Sequence, residues 1–98
     1  MRLSDFFPTE QILRDAEFTA LGLSNSTGSD RMLSFLEDFR FAEELLKNPR
    51  ICAVICRPED GAAVAERKQG VVLSDTPRLA YFRLHNRLAE LPDYCPPQ

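Results

Sequence analysis

Leu33-Ser-Phe-Leu-Glu-Asp-Phe-Arg-Phe-Ala-Glu-Glu-Leu-Leu-Lys-Asn-Pro-Arg-Ile-Cys-Ala-Val-Ile-Cys56 is the stretch that decides the fold. It starts as a strand: from Arg31 to Leu36, Leu33 and Phe35 point one way and Met32, Ser34 and Leu36 the other. Asp38 follows with a short side-chain acceptor that can satisfy an orphan backbone N–H, so it reads as a helix N-cap. The helix is expected to run to about Lys47. Phe41 with Leu45, and Ala42 with Leu46, repeat at a spacing of four and define its buried stripe. Glu43 and Lys47 form an i,i+4 ion pair on the wet side. Asn48-Pro49 stops the helix. Ile51 to Cys56 is then apolar on both faces, the mark of a central, parallel strand covered on both sides.

The pattern continues outward on both sides. Downstream, Pro58-Glu59-Asp60 opens a short helix from Gly61 to about Arg67. Gly70 ends it, and Val71-Val-Leu73 makes the next strand. Thr76 as N-cap and Pro77 at the first helical position start a last helix, which runs to about Leu91 on a stripe of Tyr81, Leu84, Leu88 and Leu91. Upstream, Ala16 to Ser24 suits a short strand packing through Phe18, Ala20 and Leu23, with helix as the alternative. Ser24 to Asp30 is a loop of turn formers. Phe6 and Phe7 precede Pro8, so that corner is expected to be extended and to pin the amino terminus to the core. Alternating strands and helices with right-handed crossovers give an α/β fold, a small mainly parallel sheet with flanking helices. Residues 1–91 form one domain, and the proline-rich residues 92–98 a tail or linker.

Bulk properties narrow the function. A chain of 98 residues is one domain with enough core to fold without staples. Its net charge of −3 argues against a nucleic-acid surface, which is normally basic. A local basic pocket for one phosphate remains compatible with that charge. Three cysteines, an odd count, point to a reducing compartment. Cys52 and Cys56 fit neither a redox CxxC nor a zinc knuckle and read as core, whereas Cys95 falls in the tail. The first residues carry too many charges for a signal peptide or a membrane span, so the expected location is cytoplasmic.

Catalytic motifs are missing from the sequence. The glycines at 22, 28, 61 and 70 are scattered and form no phosphate loop. No GxSxG elbow occurs. The single histidine, His85, reads either as a general base or as a half-buried helix residue with no nucleophile beside it. Arg83 and Arg87, off the core stripe, could hold a phosphate or simply be solvated. Glu59 and Asp60 suit the positive end of a helix dipole. The remaining candidate is the corner from Ser34 to Phe41, because ligands of open α/β sheets bind beyond the carboxyl ends of strands. There Phe35 and Phe41 could sandwich a planar base whose edge Asp38 reads. Alternatively both rings are core and Asp38 is only a cap.

Three stretches in order resemble a known family. Leu33 to Leu46, the strand Ile51-Cys-Ala-Val-Ile-Cys56 and the join Val71-Val-Leu-Ser-Asp-Thr-Pro-Arg-Leu-Ala-Tyr-Phe82 resemble the leading domain of the UDP-3-O-acylglucosamine N-acyltransferases of lipid A synthesis, and of related hexapeptide-repeat sugar acyltransferases. The resemblance covers roughly residues 16–91. It implies a uridine-binding α/β domain for a nucleotide sugar, with Phe35 and Phe41 stacking the base and Asp38 reading it. It also implies that acyl transfer belongs to a following β-helix with its own histidine, distinct from His85 and outside this chain. That parent would be a homotrimer using an acyl carrier protein or acyl-CoA donor, and the present chain would not by itself be an enzyme. Asp38 stands where the family pattern has asparagine, and Phe39 where it has proline. A carboxylate only accepts hydrogen bonds, so guanine or cytosine, with donors on the read edge, suits Asp38 better than uracil. A stand-alone protein-interaction module, with Phe39 as a contact, is the alternative function.

Overall fold

The strand Ile51–Cys56 sits at the centre of the sheet, as its two-sided apolar sequence requires, and every residue in it is buried. The computed structural model describes residues 2–22 and 30–90, with the side chain of Phe41 outside the described set. Five strands form one mixed sheet: β1 (Ile12–Arg14), β2 (Ala20–Leu21), β3 (Met32–Leu36), β4 (Ile51–Cys56) and β5 (Gly70–Leu73). Their order is β1-β5-β4-β3-β2. The neighbours from β2 to β5 pair in parallel, and β1 pairs antiparallel to β5.

The helices are α1 (Ala42–Lys47), α2 (Gly61–Ala65) and α3 (Pro77–Ala89). They cover both faces. On one face Ala42 and Leu45 of α1 and Val64 of α2 pack on Met32, Leu36, Val54 and Val71. On the other, Tyr81, Leu84 and Leu88 of α3 pack with Leu3 and Phe18 on Leu33, Ile55 and Val72. Burying both faces of a parallel sheet under helices removes its apolar strands from water, the main favourable term in folding.

The expected alternation in β3 holds, with Leu33 and Phe35 on the α3 side and Met32 and Leu36 opposite. In β4 it is interrupted. Met32 pairs with Ile51 but Leu33 with Ala53, so Cys52 is an extra residue in β4. That irregularity lets Cys52 and Ala53 both pack on the α3 side.

Several sequence expectations are refined. The helix after Asp38 begins as a 3-10 turn over Phe39–Phe41 and becomes α-helical at Ala42. Its buried residues are Ala42 and Leu45, with Leu46 half-buried. The strand expected from Ala16 to Ser24 reduces to β2 at Ala20–Leu21 and a single antiparallel bridge from Glu17 to Arg2, while Leu23, Ser24 and most of the following loop lie outside the described residues. The amino-terminal corner is extended only in part, at Pro8 (φ −68°, ψ 150°). Leu3–Asp5 forms a 3-10 turn and Phe6 closes it at φ −124°, ψ −18°. Phe6 and Phe7 nevertheless pack against the core. β1 was not foreseen, because three partly exposed residues carry little strand pattern and the pairing comes from β5. Thr76 does occupy the N-cap position of α3, without a side-chain capping bond. Leu91, Cys95 and the tail lie outside the described residues. Among the described residues, no helix is long and apolar enough to cross a membrane.

Candidate functional site at the carboxyl ends of the strands

The parallel strands β3, β4 and β5 end at one edge, and their following turns carry the polar groups. The turns after β3 and β4 lead to α1 and α2 on one face, while the turn after β5 leads to α3 on the other. Such a reversal opens a crevice between β4 and β5, a usual place for a ligand in such sheets, whereas the turns after β3 and β4 leave on the same face and frame a neighbouring cleft.

Asp38 stands at that edge and is held firmly. Its Oδ1 accepts the Arg40 backbone N–H at 3.0 Å, which caps the 3-10 turn. Its Oδ2 accepts from Arg40 Nε at 2.9 Å and Nη2 at 2.7 Å. The Arg40 guanidinium and amide hold the Asp38 carboxyl below its ordinary value, and the charge of Arg57 acts in the same sense. The cap foreseen from sequence is therefore present, and it comes with an ion pair that local spacing did not announce.

Asp38 lines an open cleft of about 410 Å³ with Glu37, Phe39, Arg57, Glu59 and Asp60. Four carboxylates against one guanidinium make this cleft acidic. It suits donors such as ring N–H and amino groups and disfavours phosphates. No group of three potential metal ligands occurs among the described residues. Glu59 and Asp60 sit on the 3-10 turn Pro58–Asp60 that leads into α2, where the sequence had placed a helix start.

Phe35 lies on the other side of the sheet edge. Its half-buried ring packs on Tyr81 at a centroid distance of 4.8 Å and on Phe82 at 6.1 Å. Phe82 is exposed and carries the Arg78 guanidinium 5.8 Å above its ring. Phe35 and Asp38 thus share a strand end but line no common cleft among the described side chains. The backbone of Phe41 closes the 3-10 turn, and its side chain lies outside the described residues. Phe39 and Arg57 join Asp38 instead. Phe39 was expected from sequence only as a protein contact, and Arg57 was not expected as a site residue.

The remaining candidates are structural or stand apart. Cys52 and Cys56 are free and buried. Burial, with Asp60 and Glu59 nearby, pushes the Cys56 thiol up to about 12. Lys68 is buried at the opposite end of β5, where its ammonium donates to the Asn48 carbonyl at 2.7 Å and burial lowers its pKa. His85 is half-buried on α3, and its imidazole makes no hydrogen bond among the described residues. Arg83 and Arg87 border a second cleft, between α3 and the amino-terminal turn. The chain matches no protein-family model, no curated protein and no solved structure.

Proposed function

We propose that this chain is a recognition domain for a nucleotide sugar, the leading domain of a sugar N-acyltransferase whose acyl-transfer chemistry belongs to a separate β-helix. The observation that carries this reading is the Asp38 carboxylate, fixed by Arg40 at the carboxyl end of β3 and facing a cleft beside an aromatic ring and a guanidinium. A preset acceptor in such a place can read the donor edge of a base. The exposed ring of Phe39 borders the same cleft, while the stacking roles of Phe35 and Phe41 come from the family resemblance alone, the Phe35 ring packing on Tyr81 across the sheet edge. The three sequence motifs supply the nucleotide-sugar class. The acidity of the cleft favours guanine or cytosine over uracil.

The test is an amide chemical-shift titration with uridine, cytidine and guanosine, followed by their diphosphate sugars. Cytidine or guanosine should shift the amides of residues 35–41 saturably. Phe35→Ala should weaken that binding about 5- to 100-fold, the range set by stacking worth about 1–3 kcal/mol per base. Asp38→Asn should move the preference toward uridine. Saturation by none of the three nucleosides would end the reading.

A second reading rests on a separate observation. Leu79 and Phe82, 47% and 44% exposed, lie three apart on α3, and Phe39 is 45% exposed at the acidic cleft. Such rings fit a protein contact. A concentration-dependent mass that nucleosides leave unchanged and Phe82→Ser abolishes would favour it.

A further inference from the structure

The second cleft lies away from the Asp38 corner and differs from it in chemistry. It has a volume of about 330 Å³ and runs between α3 and the turn at Phe6–Pro8. Arg83 and Arg87, four residues apart on α3, border one side of it. Phe6 and Phe7 border the other. Ser74 and Thr76 close it at the carboxyl end of β5. Among the described residues, no acidic side chain lines it, although the chain carries 15 acidic residues against 12 basic ones.

The arginines are free to take a ligand. Arg2, Arg40 and Arg50 each pair with a carboxylate. Arg83 and Arg87 pair with none among the described residues. Arg87 lies over the Phe6 ring at 5.4 Å, a cation–π contact that orients its guanidinium without consuming its donors. Phe6 in turn is set by the buried ring of Phe18, 6.1 Å away. The neutral groups nearby, the Gln11 amide and the Thr76 hydroxyl, can also donate.

We propose that this cleft is a binding site for a phosphoryl group, with Arg83 and Arg87 gripping its oxygens and the Phe6 and Phe7 rings covering the adjoining part of the ligand. Two guanidinium forks one helical turn apart present several N–H donors to a tetrahedral dianion, the geometry in which arginine is strongest. The inference does not rest on the nucleotide-sugar reading, and the two can fail separately.

The experiment is an amide chemical-shift titration of the full chain with sodium pyrophosphate and with inorganic phosphate, matched by sodium chloride at equal ionic strength. Saturable shifts are expected at Phe7, Ser74, Thr76 and Ala80. Both arginines are exposed, so Arg83→Gln and the double variant Arg83→Gln/Arg87→Gln should keep the wild-type spectrum elsewhere. The affinity for pyrophosphate should fall on the order of tenfold in the single variant and further in the double, since each tenfold is about 1.4 kcal/mol and charged hydrogen bonds are worth about 1.5–3. Raising ionic strength from about 0.01 to about 0.15 M, which shortens the Debye length from about 30 to about 8 Å, should also weaken it. Equal response to chloride, or undiminished binding in the double variant, overturns the proposal. Asp38→Asn should leave the pyrophosphate response unchanged, and nucleosides without phosphate should leave these amides unshifted. Pyrophosphate binding with no nucleoside binding would uphold this site and remove the Asp38 reading. The reverse result would do the opposite.

Discussion

Replacing Gly70 by alanine tests the packing that positions the strand ends. Gly70 opens β5 and pairs with Ala53 of β4. A methyl group there would meet Ala16 Cβ at 2.7 Å, Leu3 Cδ1 at 2.8 Å and Ala53 Cβ at 3.0 Å. Carbon atoms prefer about 3.5–4.0 Å, so the contacts are short by roughly 0.5–1.3 Å. Leu3 could turn its terminal methyl aside. Ala16 and Ala53 cannot, because a Cβ moves only with its backbone. Overpacking of this kind costs about 1–3 kcal/mol, and two rigid neighbours put Gly70→Ala in the upper part of that range. Loss of glycine's freedom in the unfolded chain returns about 0.4–1 kcal/mol. The net expectation is a loss of about 2 kcal/mol, which for a domain of this size lowers Tm by roughly 8–16 °C. Gly61→Ala is the matched control. Its closest contact, 2.6 Å, is to Leu73 Cδ2, the far end of a half-buried side chain that can rotate, and Leu13 Cδ2 follows at 3.4 Å. Alanine also gains up to about 1 kcal/mol in a helix, so Gly61→Ala should fall within about 0.5 kcal/mol of wild type. Urea unfolding followed by circular dichroism, with the slope unchanged between variants, reads both. A neutral Gly70→Ala, or a Gly61→Ala that costs as much, would contradict this packing of β5.

Two further outcomes follow from buried thiols and the capping carboxylate. In a Cys95→Ser background at about pH 8, a thiol reagent should leave the native protein unlabelled and modify Cys52 and Cys56 only on unfolding, because Cys56 is fully buried with its thiol pushed up to about 12 and thiolate is the reactive form. Native labelling at the global rate of an exposed thiol would contradict the structure. The Asp38 carboxyl is held below the ordinary value of 3.8, first by the hydrogen bond from the Arg40 side chain. Its stabilising contribution is therefore complete above the unfolded value and disappears as pH falls through the lower folded one. The stability difference between wild type and Asp38→Asn should be flat from about pH 5 to 7 and shrink below about pH 4. A difference that instead grows on acidification would show that Asp38 is not held as a paired carboxylate.

The elements that short-range chemistry controls were legible in the residues themselves. The six apolar residues of β4 could be buried only by covering both faces, and the helices on either side do so. Asp38 caps the turn after β3, Pro77 starts α3, and Glu43 pairs with Lys47 at 2.7 Å, each through neighbours within four positions. The identity of the α3 stripe was equally local, since Tyr81, Leu84 and Leu88 recur with the helical period.

What the residues alone left open depends on partners far along the chain. β1 is a strand because β5 offers it hydrogen bonds, and the extra residue Cys52 shows only against β3. Phe35 faced the α3 side by alternation, but its packing on Tyr81 and Phe82 required α3 to cross that face of the sheet. The same holds for the clefts. Arg83 and Arg87 could be placed off the core stripe by period, yet nothing local says that Phe6 and Phe7 stand opposite them. Sequence thus determined the α/β class and the capping acceptor at Asp38, because hydrogen bonds and helical period act within a few residues. The tertiary structure decided which charges and rings share a cleft, because burial of apolar surface brings segments together regardless of their distance along the chain.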